Sequence, residues 1–183
     1  MSSPDFARVT RRFAVLALAG LTAGCFQPLY GDHPAGGPAL VSKMASVKVG
    51  VIDAPNGSRI ARVGNVLRDQ LMYDFTGGGA AASPTHKLVI KLTSTQLQVI
   101  VDINTARPDI QNYGIDATYQ LIDLSTGKTV VTGETFSRVS YNIPGQEQRF
   151  AGARGLRDAE NRAAGVIADN IRSRLASYFV AGT

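Results

Sequence analysis

One cysteine, with two small residues before it and a charge-free greasy run before those, carries the clearest chemistry in this chain. Leu21-Thr22-Ala23-Gly24-Cys25 holds the only cysteine among 183 residues. Phe13 to Leu21 contains no charge, and Arg8, Arg11 and Arg12 precede it. A basic stretch, a short apolar stretch and small residues at its end form the layout of a secretory leader. The apolar run is shorter than the ~20 residues a helix needs to cross a bilayer, which disfavours an uncleaved anchor. A thiol is the nucleophile that can take up a thioether-linked lipid, and the small Ala23 and Gly24 let the backbone lie extended in a peptidase cleft. The stretch therefore reads as a lipobox, although Thr22 stands where leucine is commonest. The cut falls between Gly24 and Cys25, and Cys25 then carries a diacylglycerol and an N-acyl chain such as palmitate. The alternative is an ordinary cleaved leader followed by an unrelated cysteine.

Elsewhere the residue types and spacings do not assemble a catalytic set. His33 lies in a proline- and glycine-rich stretch and His86 at a strand edge. Two histidines and no second cysteine leave too few ligands for a metal site. Gly77-Gly78-Gly79 is not followed by Lys-Ser or Lys-Thr, so it is not a phosphate loop. Asp158 and Glu160 read as favourable charges near a helix N-terminus. We expect no enzyme, no metal and no cofactor beyond the covalent lipid.

What remains is binding chemistry. Lys87 and Lys91 stand along one face of a predicted strand, with Val89 on the same face. Lys128 sits at a predicted hairpin tip, and Arg138 joins the lysines if its strand is phased that way. These four cations suit the phosphates of an anionic amphiphile, with Val89 against its acyl chains. The competing reading is ordinary solubilising charge, which on strands also deters edge pairing.

The totals agree with an exported binding domain. Residues 1–24 hold three arginines and one aspartate, so removing them lowers the net charge from +5 to +3. That excess is mild, and no basic stripe with interleaved aromatics points to nucleic acid. A hydrophobic content of 44% supports one core at this length. With the single cysteine lipidated, no intramolecular disulfide is available. The organisation reads as a leader over 1–24, a lipidated N-terminus and tether over 25–45, and a folded domain over 46–183.

The domain must position the cations. Val47, Val49 and Val51 alternate over a first strand. Ser58 caps a helix whose stripe is Ile60, Val63, Leu67, Leu71 and Phe75. Lys87 to Asp102 is a long second strand whose apolar parity flips near Ser94 to Gln96, where a bulge is expected. Asn104 to Pro108 reads as a loop. Tyr113, Ile115, Ala117, Tyr119 and Leu121 alternate over a third strand. Ser125-Thr126-Gly127-Lys128 turns into a fourth over Thr129 to Tyr141, with its phase open between Val130/Phe136 and Val131/Val139/Tyr141. A last helix, firm from Asp158, carries Ala159, Ala163, Val166, Ile167, Ile171, Leu175, Tyr178 and Phe179. Asp158 and Arg162 are placed to pair. The fold class is α+β: a two-layer sandwich with a four-stranded mixed sheet and both helices on one face, in the order β-α-β-β-β-α.

Cys25-Phe26-Gln27-Pro28-Leu29-Tyr30-Gly31 resembles the start of the mature LPS-assembly lipoprotein LptE, in its alphaproteobacterial form. The element order and the helix from Arg157-Asp158-Ala159-Glu160-Asn161-Arg162-Ala163 to Arg174-Leu175-Ala176-Ser177-Tyr178-Phe179 also look like that family. Phe26 stands where the family often has glycine. The resemblance implies a non-enzymatic outer-membrane lipoprotein on the periplasmic side. It would help assemble and plug the LptD β-barrel and help deliver lipopolysaccharide to the cell surface. The absence of aspartate after Cys25 agrees with the outer membrane as address. A different class of protein fits the same features: an auxiliary periplasmic adaptor lipoprotein of an ABC-type lipid or solute transporter.

Overall fold

The structure, a computed structural model, describes residues 40–79, 82–102, 107–143 and 149–181. The elements are α1 (Leu40–Ala45), β1 (Val47–Val49), α2 (Arg59–Thr76), β2 (His86–Asp102), β3 (Arg107–Asp123), β4 (Thr129–Asn142) and α3 (Arg149–Ala181). The strands lie in the order β1-β2-β3-β4. β1 runs parallel to β2, and the other pairs are antiparallel. α2 is the crossover that a parallel pair requires. The order and the mixed sheet match the α+β sandwich expected from the sequence.

Alternation decides which face the helices cover. Leu88 and Ile90 on β2, Tyr113, Ile115, Ala117, Tyr119 and Leu121 on β3, and Val131, Val139 and Tyr141 on β4 are all buried. They meet Val63, Leu67, Leu71 and Phe75 of α2 and Ala159, Ala163, Ile167, Ile171 and Leu175 of α3 in one core. The Ser58 hydroxyl accepts from the Ala61 N–H at 3.2 Å and starts α2. Gly77, at φ 62°, ends it by donating its N–H to the Tyr73 carbonyl.

Register settles the fourth strand. Tyr113 pairs with Val139 and Leu121 with Val131, so the odd positions of β4 face the core. Hydrophobicity alone leaves this open because the middle of the inward face is Gly133, Thr135 and Ser137. Of these, Thr135 accepts a hydrogen bond from the Asn170 amide of α3 at 2.9 Å. Gly133 is required there: a Cβ would come within 2.5 Å of the Tyr119 hydroxyl.

Four expectations are corrected. The tether does not extend to residue 45, because Leu40–Ala45 is helical and buries Leu40 and Met44. The β2 irregularity is not at Ser94 to Gln96. Pairing with β3 is regular through Gln98 and shifts between Gln98 and Ile100 and again before Val101. Leu97 therefore stays on the open face, 62% exposed. β3 begins at Arg107, inside the expected loop. Val166 is exposed, because the buried arc of α3 widens towards Ala164 and Ala168 instead.

The β3–β4 turn is held by Asp123. Its Oδ1 accepts from the Ser125 N–H at 2.7 Å, the Ser125 hydroxyl at 2.6 Å and the Thr126 N–H at 3.3 Å. The Ser125 hydroxyl, then the turn amides, hold this carboxyl below the usual Asp range. A lowered folded value means the turn is supported above the ordinary carboxylate pKa of about 4 and loosens as pH falls through the folded one. The protection of the Ser125 and Thr126 amides against exchange, relative to their intrinsic rates, is expected to fall in acid. Asp123→Asn should abolish that acid step; an unchanged pH profile in the variant would show that another group controls the turn.

Candidate functional site

The helices cover one face of the sheet and leave the other open. Lys48, Lys87 and Lys91 are all exposed on that open face. Lys48 and Lys87 are paired neighbours on the parallel strands, about 4.8 Å apart at the backbone. Val89, half-buried, stands between Lys87 and Lys91, so those two are not immediate neighbours: four steps along the strand separate them by about 13 Å. Lys87 faces Ile122 across the β2–β3 ladder, and Lys91 faces Thr118. Among the described residues no carboxylate forms an ion pair with Lys48, Lys87 or Lys91. The result is a corner of three unneutralised ammonium groups around the apolar Val89 and Ile122.

Lys48 is a site residue that sequence reasoning misses. Its solvent-facing phase on the first strand is legible, but its place beside Lys87 depends on parallel pairing. Lys128 is exposed at the β3–β4 turn. That turn lies at the Lys87 end of the sheet, since Lys87 pairs with Ile122 and Ile122 with Thr129.

Arg138 is on the open face but is not part of this corner. It lies one β3 residue row from Asp116 and donates to that carboxylate at 2.7 Å. It also donates to the Ile115 carbonyl at 3.1 Å and the Ser137 carbonyl at 3.0 Å, and its guanidinium sits 5.4 Å from the Phe136 ring centroid. Gly114 makes this possible, because a Cβ there would come within 2.8 Å of Arg138 Cδ. Arg138 is a clamp between β3 and β4, with its charge offset by Asp116. Gly24 and Cys25 lie outside the described residues.

The other titratable groups are absorbed structurally. His86 Nδ1 shares a hydrogen bond with the Thr85 hydroxyl at 2.8 Å, and its ring meets Phe179 edge-on. Asp158 pairs with Arg162 at 2.7 Å, as its spacing implies. Glu160 departs from expectation. α3 begins at Arg149, so Glu160 lies about three turns in, 3% exposed and paired with Arg62 of α2. Burial pushes the phenols of Tyr113, Tyr119 and Tyr141 above their usual range. Among the described residues no cluster of His, Cys, Asp or Glu could hold a metal, and no helix is long and apolar enough to cross a membrane.

This architecture is a fold of bacterial lipoproteins. The chain is similar to a Caulobacter crescentus protein described as a lipoprotein, with 21% identity and a TM-score of 0.61 over 79% of this chain and 97% of that one. It is also similar to lipoprotein B of Nitrosomonas europaea, with 14% identity and a TM-score of 0.53 over 83% and 94% of the two chains. Rare lipoprotein B of Shewanella oneidensis aligns with 13% identity and a TM-score of 0.50 over 74% and 95%. At these identities the likeness is one of fold. No protein family and no curated protein matches the sequence.

Proposed function

We propose that the chain is an outer-membrane lipoprotein of the LptE kind, anchored through acyl chains on Cys25. In this reading it assists and plugs an LptD-type β-barrel and hands lipopolysaccharide towards the cell surface, without catalysis. The observation that carries the lipid-contact role is the unpaired corner of Lys48, Lys87 and Lys91 beside Val89. Three like charges held together on a sheet cost stability, and an anionic amphiphile offsets them. The lipoprotein fold and the Cys25 lipobox support the anchor. An outer-membrane preparation should yield the chain together with a large β-barrel partner, and recovery as a clean monomer would count against the plug role.

The lysine corner has its own test. Each cation near an anionic lipid surface contributes about 1 kcal/mol, so Lys48→Gln, Lys87→Gln and Lys91→Gln together should weaken lipopolysaccharide binding about a hundredfold. All three side chains are exposed, so the melting temperature should hold. Full binding by the folded triple variant would return the lysines to a solubilising role. Arg138→Gln is the contrasting case: it removes a clamp and should lower stability more than binding.

A further inference from the structure

A second cationic feature lies on the helix side, away from the lysine corner. A cleft of about 540 Å³ runs between the first turns of α2 and the first half of α3. Arg59 and Arg62 line it from α2, and Arg154 and Arg157 from α3. Each pair is spaced i, i+3, so each pair lies along one helix face. The cleft is bounded by two arginine rails, and apolar Phe150 and Leu156 line it from α3 together with Arg154 and Arg157. Phe150 is 89% exposed, the most exposed large hydrophobic residue described.

The two rails differ. The α2 rail is fixed: Arg59 donates to Gln96 at 3.3 Å, and Arg62 is held by Glu160 and by Asn161 at 3.0 Å. Gln96 in turn donates to the Tyr141 hydroxyl at 3.2 Å, which ties that rail to the sheet. Arg154 and Arg157 make no hydrogen bond or ion pair among the described residues. Among the described residues Glu160 is the only carboxylate lining the cleft, and Arg62 already uses it. Concentrating four guanidinium groups against one carboxylate opposes folding, so the arrangement calls for an anionic occupant.

The geometry bears on which occupant. Phe150 to Glu160 spans about 15 Å of helix, and successive arginines on a rail rise by about 4.5 Å. The charges are spread along a groove and do not converge on one point, as a lone phosphate would require. An extended polypeptide places same-side residues about 7 Å apart and fills about 15 Å with four or five residues. Guanidinium groups bind carboxylates through two parallel hydrogen bonds, and arginine with an exposed aromatic is the composition of protein interfaces. We infer that this cleft docks an extended acidic segment of a partner polypeptide, with its carboxylates on the arginine rails and an apolar side chain against Phe150 and Leu156. The inference is independent of lipid contact at the lysine corner.

The test uses the full mature chain and a fluorescein-labelled peptide of alternating Glu and Asp around a central Leu. Binding read by anisotropy should weaken at least tenfold in Arg154→Glu/Arg157→Glu and stay unchanged in Lys87→Glu/Lys91→Glu. The arginine variant should melt no lower than the parent, because it relieves repulsion and breaks no internal bond. Millimolar inorganic phosphate should not displace the peptide. Equal peptide affinity in the arginine variant would overturn the inference, as would loss of binding in the lysine variant. Displacement by phosphate would overturn it too, in favour of a phosphate site. So would loss of phosphatidylglycerol-vesicle capture in the arginine variant with peptide affinity intact, which would make the cleft a lipid site.

Discussion

Cys25→Ser is expected to remove the chain from the outer-membrane fraction and to leave its leader unclipped. A hydroxyl is a far weaker nucleophile than a thiol and does not take up the thioether-linked lipid. Each acyl CH₂ in the bilayer contributes about 0.8 kcal/mol, and one acyl chain alone holds a protein only marginally and reversibly. A diacylglycerol plus an N-acyl chain is a stable anchor, so the difference between cysteine and serine is close to all or none. The described domain does not offer a spanning helix to compensate. Its core hydrophobics are already packed between sheet and helices. Fractionation of vesicles and the mobility of the unprocessed precursor read the outcome. If the serine variant still sediments with the outer membrane and is still clipped after Gly24, the lipid-anchor reading fails, whatever the fold resembles.

The parts of this fold that are legible in the sequence are those in which one periodicity has one meaning. The α2 stripe from Val63 to Phe75 and the β3 alternation from Tyr113 to Leu121 are unambiguous, and both are buried as their patterns imply. The illegible parts depend on partners far away along the chain. β4 presents apolar residues on both parities, and only pairing with β3 shows that Gly133, Thr135 and Ser137 share the inward face with Val131, Val139 and Tyr141. The α1 turn is too short to carry a period, and what holds it is the burial of Leu40 and Met44 against the long helices. The cationic sites divide in the same way. Lys87, Val89 and Lys91 share a face by strand period alone. Lys48 joins them through parallel pairing, Arg138 leaves them because Gly114 lets it fold down onto Asp116, and the arginine rails meet only because two helices pack.

Arg62→Ala is expected to be the most destabilising exposed-to-core substitution in the domain, because of what it strands. Glu160 is 3% exposed on the inner side of α3, and its Oε1 has no hydrogen-bond partner. Its other oxygen is met by Arg62, which is itself partly exposed and bridges to Asn161. The pair thus joins the two long helices through a carboxylate whose charge is compensated on one side only. Removing a partner from a buried pair leaves an uncompensated charge and costs about 3–5 kcal/mol, more than the pair contributes over an apolar replacement. For a domain of this size that corresponds to a fall in Tm of about 10 °C. The double variant Arg62→Met/Glu160→Met should recover most of the loss, because it removes the buried charge together with its partner. Urea denaturation of the parent, Arg62→Met, Glu160→Met and the double variant closes a cycle whose coupling term isolates the pair. A loss below about 1 kcal/mol in Arg62→Ala would mean that Glu160 is compensated by other groups. A double variant as unstable as Arg62→Ala would mean that the guanidinium stem, through its packing between α2 and α3, matters more than its charge.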